Sequence, residues 1–300
     1  ERWRTALVRD VVNASPTVTD DLGPADRLFI TDYEGFYAGG DGGALYAINI
    51  DPFESVANPY EPGEIVWRAP LSNALSGATP AYANGRVVIA TAGDSSGRNG
   101  RVVCFELASG AVRWSAPSNR TSSMPVALRD DRVLLSGGLF GFGTTPTIAV
   151  YEDMGTSAAP VFDSFDTGLS IGGWTHHPLV IEAGETAVVF TGEPAMGGGL
   201  FGGYNAIVEV DLTTSPPAVS HGIPGGGASP ALGLHALYTI GADGVHAYAR
   251  TERPEACAGV FFVLDQLGEL AIRGGVEGAV GAAVVAEALA AQPCDVGAAP

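Results

Sequence analysis

One arrangement returns five times along this chain. A small or polar residue followed by proline opens a short apolar stretch, about a dozen residues after a Trp or its substitute. Trp3 leads to Ser15-Pro16, Trp67 to Thr79-Pro80 and Trp114 to Met124-Pro125; Phe165 leads to His177-Pro178 and Val219 to Ser229-Pro230 as weaker copies. The prolines stand 64, 45, 53 and 52 residues apart. A period of about 50 residues calls for an array of like units, because one such unit cannot bury its apolar surface alone.

The second repeat shows what the unit is. Thr79-Pro80-Ala81-Tyr82 starts a strand, and Asn84-Gly85 is the signal of a two-residue hairpin. Arg86 to Thr91 is a second strand, Arg101 to Leu107 a third and Ala111 to Ser115 a fourth, after the Ser109-Gly110 turn. The second strand recurs at Arg27 to Thr31, Arg132 to Ser136, Thr186 to Thr191 and Ala236 to Ile240. The third recurs at Ala44 to Ile50, Thr147 to Glu152, Ala206 to Leu212 and Val245 to Arg250, the last after a second hairpin signal, Asp243-Gly244. These meanders are apolar on both faces and must be sandwiched between copies of themselves, which gives blades around an axis. A proline is tolerated at the start of each first strand because that residue need not donate to a ladder.

The Ser/Thr-Pro opening, the third strand Leu45-Tyr46-Ala47-Ile48-Asn49 and the Gly-to-Trp fourth strands (Gly63 to Trp67, Gly110 to Trp114) resemble the PQQ-like repeat of quinoprotein-type β-propellers. The propellers of the outer-membrane assembly lipoprotein of Gram-negative bacteria are similar. The resemblance implies an all-β propeller of four-stranded antiparallel blades. It does not imply one function, since the family mixes dehydrogenases, scaffolds and binding proteins. Its enzymes hold their quinone with an adjacent Cys pair plus acidic and Asn residues around calcium. This chain has no vicinal cysteines, so no cofactor is expected.

Five or six blades are expected over residues 1–273. Glu1-Arg2-Trp3-Arg4 reads as a fourth strand without its own blade, available to complete the last blade and close the ring. Gly268 to Arg273 mirrors Gly63 to Arg68 and argues for a sixth blade. Residues 274–300 are either a last partial blade or a short Ala-rich helix. The opening at Glu1, with no Met and no apolar leader, reads as a processed or trimmed product.

Charge narrows the partners. There are 33 acidic residues against 15 basic ones, all Arg, for a net of −18. Such a chain is repelled by phosphate backbones and anionic lipid surfaces, so nucleic acid is excluded as an expected partner. No apolar run is long enough to span a bilayer. Cys104 sits in an apolar strand, whereas Cys257 and Cys294 flank the C-terminal region and are a disulfide candidate in an oxidising compartment. The expected location is extracytoplasmic, in a bacterium: periplasmic, cell-surface or secreted.

Long loops mark the working face. Asp32 to Gly43, Gly93 to Gly100, Gly137 to Pro146 and Glu193 to Asn205 join second to third strands, whereas first-to-second turns are tight. Leu139-Phe140 and Leu200-Phe201 recur on glycine hinges, with Phe36-Tyr37 as a looser echo; they would anchor a protein partner or a second copy, or else fold back to cap their own blades. Trp174 and His176 lie nearby, and His176 and His177, being adjacent, cannot share one ion if they lie on a strand. Asp32, Glu34 and Asp41, or Asp94 with Asn99, are weak candidates for calcium, against a default of solvated turns. Asn119-Arg120-Thr121 fits a glycosylation sequon. The expected function is a non-enzymatic scaffold that binds a protein or itself through the long-loop face. The alternative is a carbohydrate- or small-ligand-binding module, or an enzyme of hydrolase or oxidoreductase type, with its site near the axis.

Overall fold

The structure, a computed structural model, describes residues 2–11, 14–19, 25–33, 43–71, 79–91, 99–121, 124–128, 130–138, 144–174, 177–183, 186–194, 204–224, 228–233, 236–240, 244–249 and 270–273. The described residues contain no helix and form five four-stranded antiparallel sheets. The first holds β1 (Thr17–Val18), β2 (Arg27–Thr31), β3 (Ala44–Asn49) and β4 (Ile65–Pro70). The second holds β5 (Ala81–Ala83), β6 (Arg86–Thr91), β7 (Gly100–Glu106) and β8 (Val112–Ser118). The third holds β9 (Val126–Ala127), β10 (Arg132–Gly137), β11 (Thr147–Asp153) and β12 (Ala158–Asp163). The fourth holds β13 (Leu179–Ala183), β14 (Thr186–Pro194), β15 (Tyr204–Asp211) and β16 (Ala218–Pro224). The fifth holds β17 (Ala228–Leu232), β18 (Ala236–Ile240), β19 (Gly244–Ala249) and β20 (Leu270–Arg273). Each is a meander whose strands pair in chain order.

Turn chemistry explains the hairpins. Asn84 (φ 50°) and Gly85 (φ 72°) are both left-handed, as a hairpin turn matched to the strand twist requires. A two-residue turn at Asp243-Gly244 would pair Ala242 with Val245 and Gly241 with His246; the ladder instead pairs Ile240 with Val245, with four residues between them, and sets His246 opposite Thr239.

The two-faced apolar pattern is what stacks the sheets. Phe29, Leu45 and Ala69 of the first sheet pack on Val87, Ile89 and Phe105 of the second. The second sheet's other face, Val88, Val102 and Trp114, packs on Val133, Leu135 and Tyr151 of the third. Leu134, Ile148 and Phe162 then meet Val189, Val208 and Val210 of the fourth, and Ile207 and Ile223 meet Leu237 of the fifth. First strands neighbour one another in turn, β1 to β5 to β9, and β13 to β17. The recurring Ser/Thr-Pro pairs meet there: Ser15 N–H donates to Thr79 Oγ1 (2.9 Å), Thr17 Oγ1 to the Pro80 carbonyl (2.5 Å) and His177 N–H to Ser229 Oγ (3.1 Å).

The recurring Trp locks one sheet to the next. Trp67 donates its indole N–H to the Leu107 carbonyl (2.9 Å) and lies over Gly110, where a Cβ would sit 2.5 Å from the ring. Trp3 lies over Gly63 in the same way, with 2.8 Å to a Cβ there. Residues 2–9 nevertheless form no strand, and the fifth sheet takes β20 as its fourth member. Gly268 to Arg273 therefore mirrors Gly63 to Arg68 because its residues 270–273 are a fourth strand of the fifth sheet. The N-terminal segment instead straps the outer face of the first sheet, where Leu7 and Ala14 pack on Ile30, Tyr46 and Ile48.

Candidate functional site

The long-loop end is built from pinched loop roots. Asp32 N–H donates to the Ala44 carbonyl (3.0 Å) and Ala44 N–H returns to Asp32 Oδ1 (2.7 Å), closing the first loop at its base. Gly43 is required there: its φ is +85°, and a Cβ would lie 2.4 Å from the Asp32 carbonyl. In the second sheet, Thr91 Oγ1 accepts from Arg101 N–H (2.9 Å). In the third, the Asn119 amide reaches from the connecting segment to the Thr145 carbonyl (2.8 Å) and Thr147 Oγ1 (2.9 Å).

The segments that link one sheet to the next are tied to these roots. Leu71 N–H donates to the Gly43 carbonyl (3.0 Å), and Gly138 N–H to the Arg120 carbonyl (2.8 Å). Trp174 N–H donates to Gly138 (2.7 Å) and Gly172 N–H to Gly192 (2.8 Å). Ser136 Oγ serves the same linker twice, donating to the Gly173 carbonyl and accepting its N–H. Each tie crosses between loop root and linker, so the base beneath the loops is cross-linked.

Two linker side chains meet on this base. The Arg120 guanidinium lies 4.9 Å from the centre of the Trp174 ring, in cation–π contact, and Arg120 is 2% exposed. Trp174 was expected at this face. Arg120 was not, because its tripeptide reads as a sequon. That reading fails in the fold: Asn119 is buried and its amide nitrogen is already spent on Thr145 and Thr147.

Asp32 is fully buried, and its oxygens accept from Tyr46 Oη (2.6 Å), Ala44 N–H and Arg9 N–H (3.1 Å). It fastens the N-terminal strap to the first sheet. Asn99 stands at the root of the second loop, with Oδ1 buried and unpartnered. Glu34, Phe36, Tyr37, Asp41, Asp94, Leu139, Phe140, His176, Leu200, Phe201, Cys257 and Cys294 lie outside the described residues. Among the described residues no three His, Cys, Asp or Glu side chains converge.

The opposite end carries an ion network in which Arg86 and Asp153 are buried and Asp131 is exposed. Arg86 Nη1 donates to Asp153 (2.5 Å) and Nη2 to Asp131 (2.8 Å), while the Asn84 amide also reaches Asp131 (3.0 Å). Burial favours the neutral form of Asp153, but the Trp114 indole, the Gly155 N–H and Arg86 outweigh it and hold the carboxyl below its ordinary range. The Trp114 Nε1 itself lacks hydrogen-bond geometry to any acceptor. Cys104, beside this pair, is pushed up to about 12 by burial and then by the Asp153 charge.

Residues 53–151 match the profile of the family described as outer membrane protein assembly factor BamB. The resemblance read from the repeat is borne out over that span. Among solved structures, BamB from Moraxella catarrhalis is similar at 17% identity, over 88% of this chain and 66% of that one, with a TM-score of 0.48. The quinohemoprotein alcohol dehydrogenase of Comamonas testosteroni is similar at 14% identity, over 81% of this chain and 41% of that one, with a TM-score of 0.49. The chain thus spans less than two thirds of either protein's length. No curated protein sequence matches it significantly.

Proposed function

We propose that this chain is a non-enzymatic scaffold outside the cytoplasm, which holds a protein partner or a second copy on its long-loop face. The carrying observation is the tied base: linker after linker is hydrogen-bonded to a loop root, which supports loops of free composition standing on a cross-linked surface. A match to an outer membrane assembly factor over residues 53–151 supports both the interaction role and the compartment. In this reading residues 1–273 are a ring of five or six blades. The face-to-face stacking of consecutive sheets and the succession of first strands support it. Residues 274–300, expected as a last partial blade or a short Ala-rich helix, lie outside the described residues.

The proposed anchors are Leu139-Phe140 and Leu200-Phe201, together with Phe36, Tyr37, Trp174 and His176. Large apolar groups on a cross-linked base lose little entropy on docking. The test is the double variant Phe140→Ser/Phe201→Ser, followed by sedimentation of the purified chain and by crosslinking in the cell envelope. The expected result is loss of the self-associated or crosslinked species with the melting temperature unchanged. Complexes that persist in the variant would overturn the reading.

A further inference from the structure

The second and third sheets do not fill the space between them at the outer rim. A cleft of about 430 Å³ opens there, between β8 and β12. Its origin is one small side chain. Counted from the Arg that opens each second strand, the fourth residues are Ile30, Ile89 and Leu135, and across from them on the third strands stand Tyr46, Val103 and Ala149. Ala149 faces the second sheet with Ala116 opposite, so a methyl group stands where the interface between the first and second sheets carries Val103. The Tyr151 hydroxyl closes the floor by donating to the Pro117 carbonyl (2.8 Å).

Both rims resist a further strand. β8 and β12 are the outermost strands of their sheets, but Pro117 and Pro160 line the cleft and offer no N–H to a ladder. An occupant must therefore enter by a side chain. Its charge is set by the two carboxylates that line the cleft, Asp163 and Asp166, on a molecule of net −18. Asp163 Oδ1 accepts the Phe165 N–H (3.0 Å), which fixes the carboxylate's direction.

We propose that this cleft receives an arginine side chain from a partner polypeptide. The aliphatic stem lies along Ala116, Ala149 and Pro160, where it removes apolar surface from water. The guanidinium meets Asp163 and Asp166. Its planar fork suits carboxylates, and it sheds water more readily than an ammonium does. No Leu-Phe residue is among those that line the cleft, so this assignment stands independently of the function proposed above.

The test uses a fluorescently labelled peptide, acetyl-Gly-Ala-Arg-Ala-Gly-amide, against its citrulline analogue, which keeps the shape and loses the charge. Free agmatine is a third probe. Ala149→Val restores the size that the preceding sheet carries, and Asp163→Asn/Asp166→Asn removes the charge while keeping the turn acceptor. Anisotropy titrations should show the arginine peptide binding the wild type, with the citrulline peptide and both variants about tenfold weaker or worse, and binding weakened by salt. Equal binding by all three proteins, or equal binding of the two peptides, would overturn the proposal. So would agmatine binding as tightly as the peptide and being lost in the same variants, since that marks a small-cation site.

Discussion

Arg86 holds two carboxylates of the next sheet from a position only 4% exposed, and the Asp153 side chain it grips is 0% exposed. Arg86→Met leaves that charge buried without its partner, a loss of about 3–5 kcal/mol. Urea denaturation should show it, and adding Asp153→Leu to the same chain should restore part of the stability because no charge then remains buried. Acid probes the same group. A carboxyl held below its ordinary range contributes stability that is present above the unfolded value, 3.8, and is lost as pH falls through the lower native value. The wild-type melting temperature should therefore fall with pH in that acid window, and fall less steeply in the Arg86→Met variant. Cys104, with its thiol pushed up to about 12, should stay unreactive to a disulfide reagent at about pH 8 until the protein is unfolded.

At the scale of the element, the lock between sheets is an indole resting on a glycine. Gly110 has φ +69° and leaves 2.5 Å between a would-be Cβ and the Trp67 ring. Gly110→Ala must therefore both strain the backbone and displace the ring. Gly85→Ala separates the two effects, since Gly85 has φ +72° but nothing within 4 Å of its Cβ position. The expected cost is about 1 kcal/mol at Gly85, from the backbone alone. At Gly110 it is about 2–4 kcal/mol, with a change in Trp emission that Gly85→Ala lacks. Equal costs at the two sites would refute the packing role of Trp67.

Among the described residues the five sheets pack face to face in chain order, each on the next. The face of the first sheet turned away from the second is covered by the strap that Asp32 and Tyr46 hold. Removing residues 1–14 uncovers Leu28, Ile30, Tyr46 and Ile48. At about 1.5–3 kcal/mol for each buried apolar side chain, the face is too large to leave wet. We expect the shortened chain to bind a hydrophobic dye and to self-associate in sedimentation, while the full chain does neither by this face. A shortened chain with unchanged dye binding and melting would show that the strap covers nothing of consequence.

What the sequence by itself determined is everything that neighbours in the chain decide. The turn at Asn84-Gly85, the prolines just ahead of β1, β5, β9 and β13 and the four-strand meander follow from backbone sterics and a period of two, and two-sided apolar strands require stacking. Pro230 instead falls inside β17, where the ladder to β18 shifts register between Ala228 and Ala231. The positions of the long loops were legible for the same reason. The tertiary structure decided which polar groups are spent. Arg86 finds Asp153 at a separation of 67 residues. Asp32, which reads as a loop carboxylate open to a metal, gives its oxygens to Tyr46, Ala44 and a strap residue from before the first strand. Asn119 looks like a surface sequon and is buried, and residues 270–273 complete the fifth sheet. A hydrogen-bond partner is chosen by distance in space and by what else has been dried out around it, and neither quantity is written in local spacing.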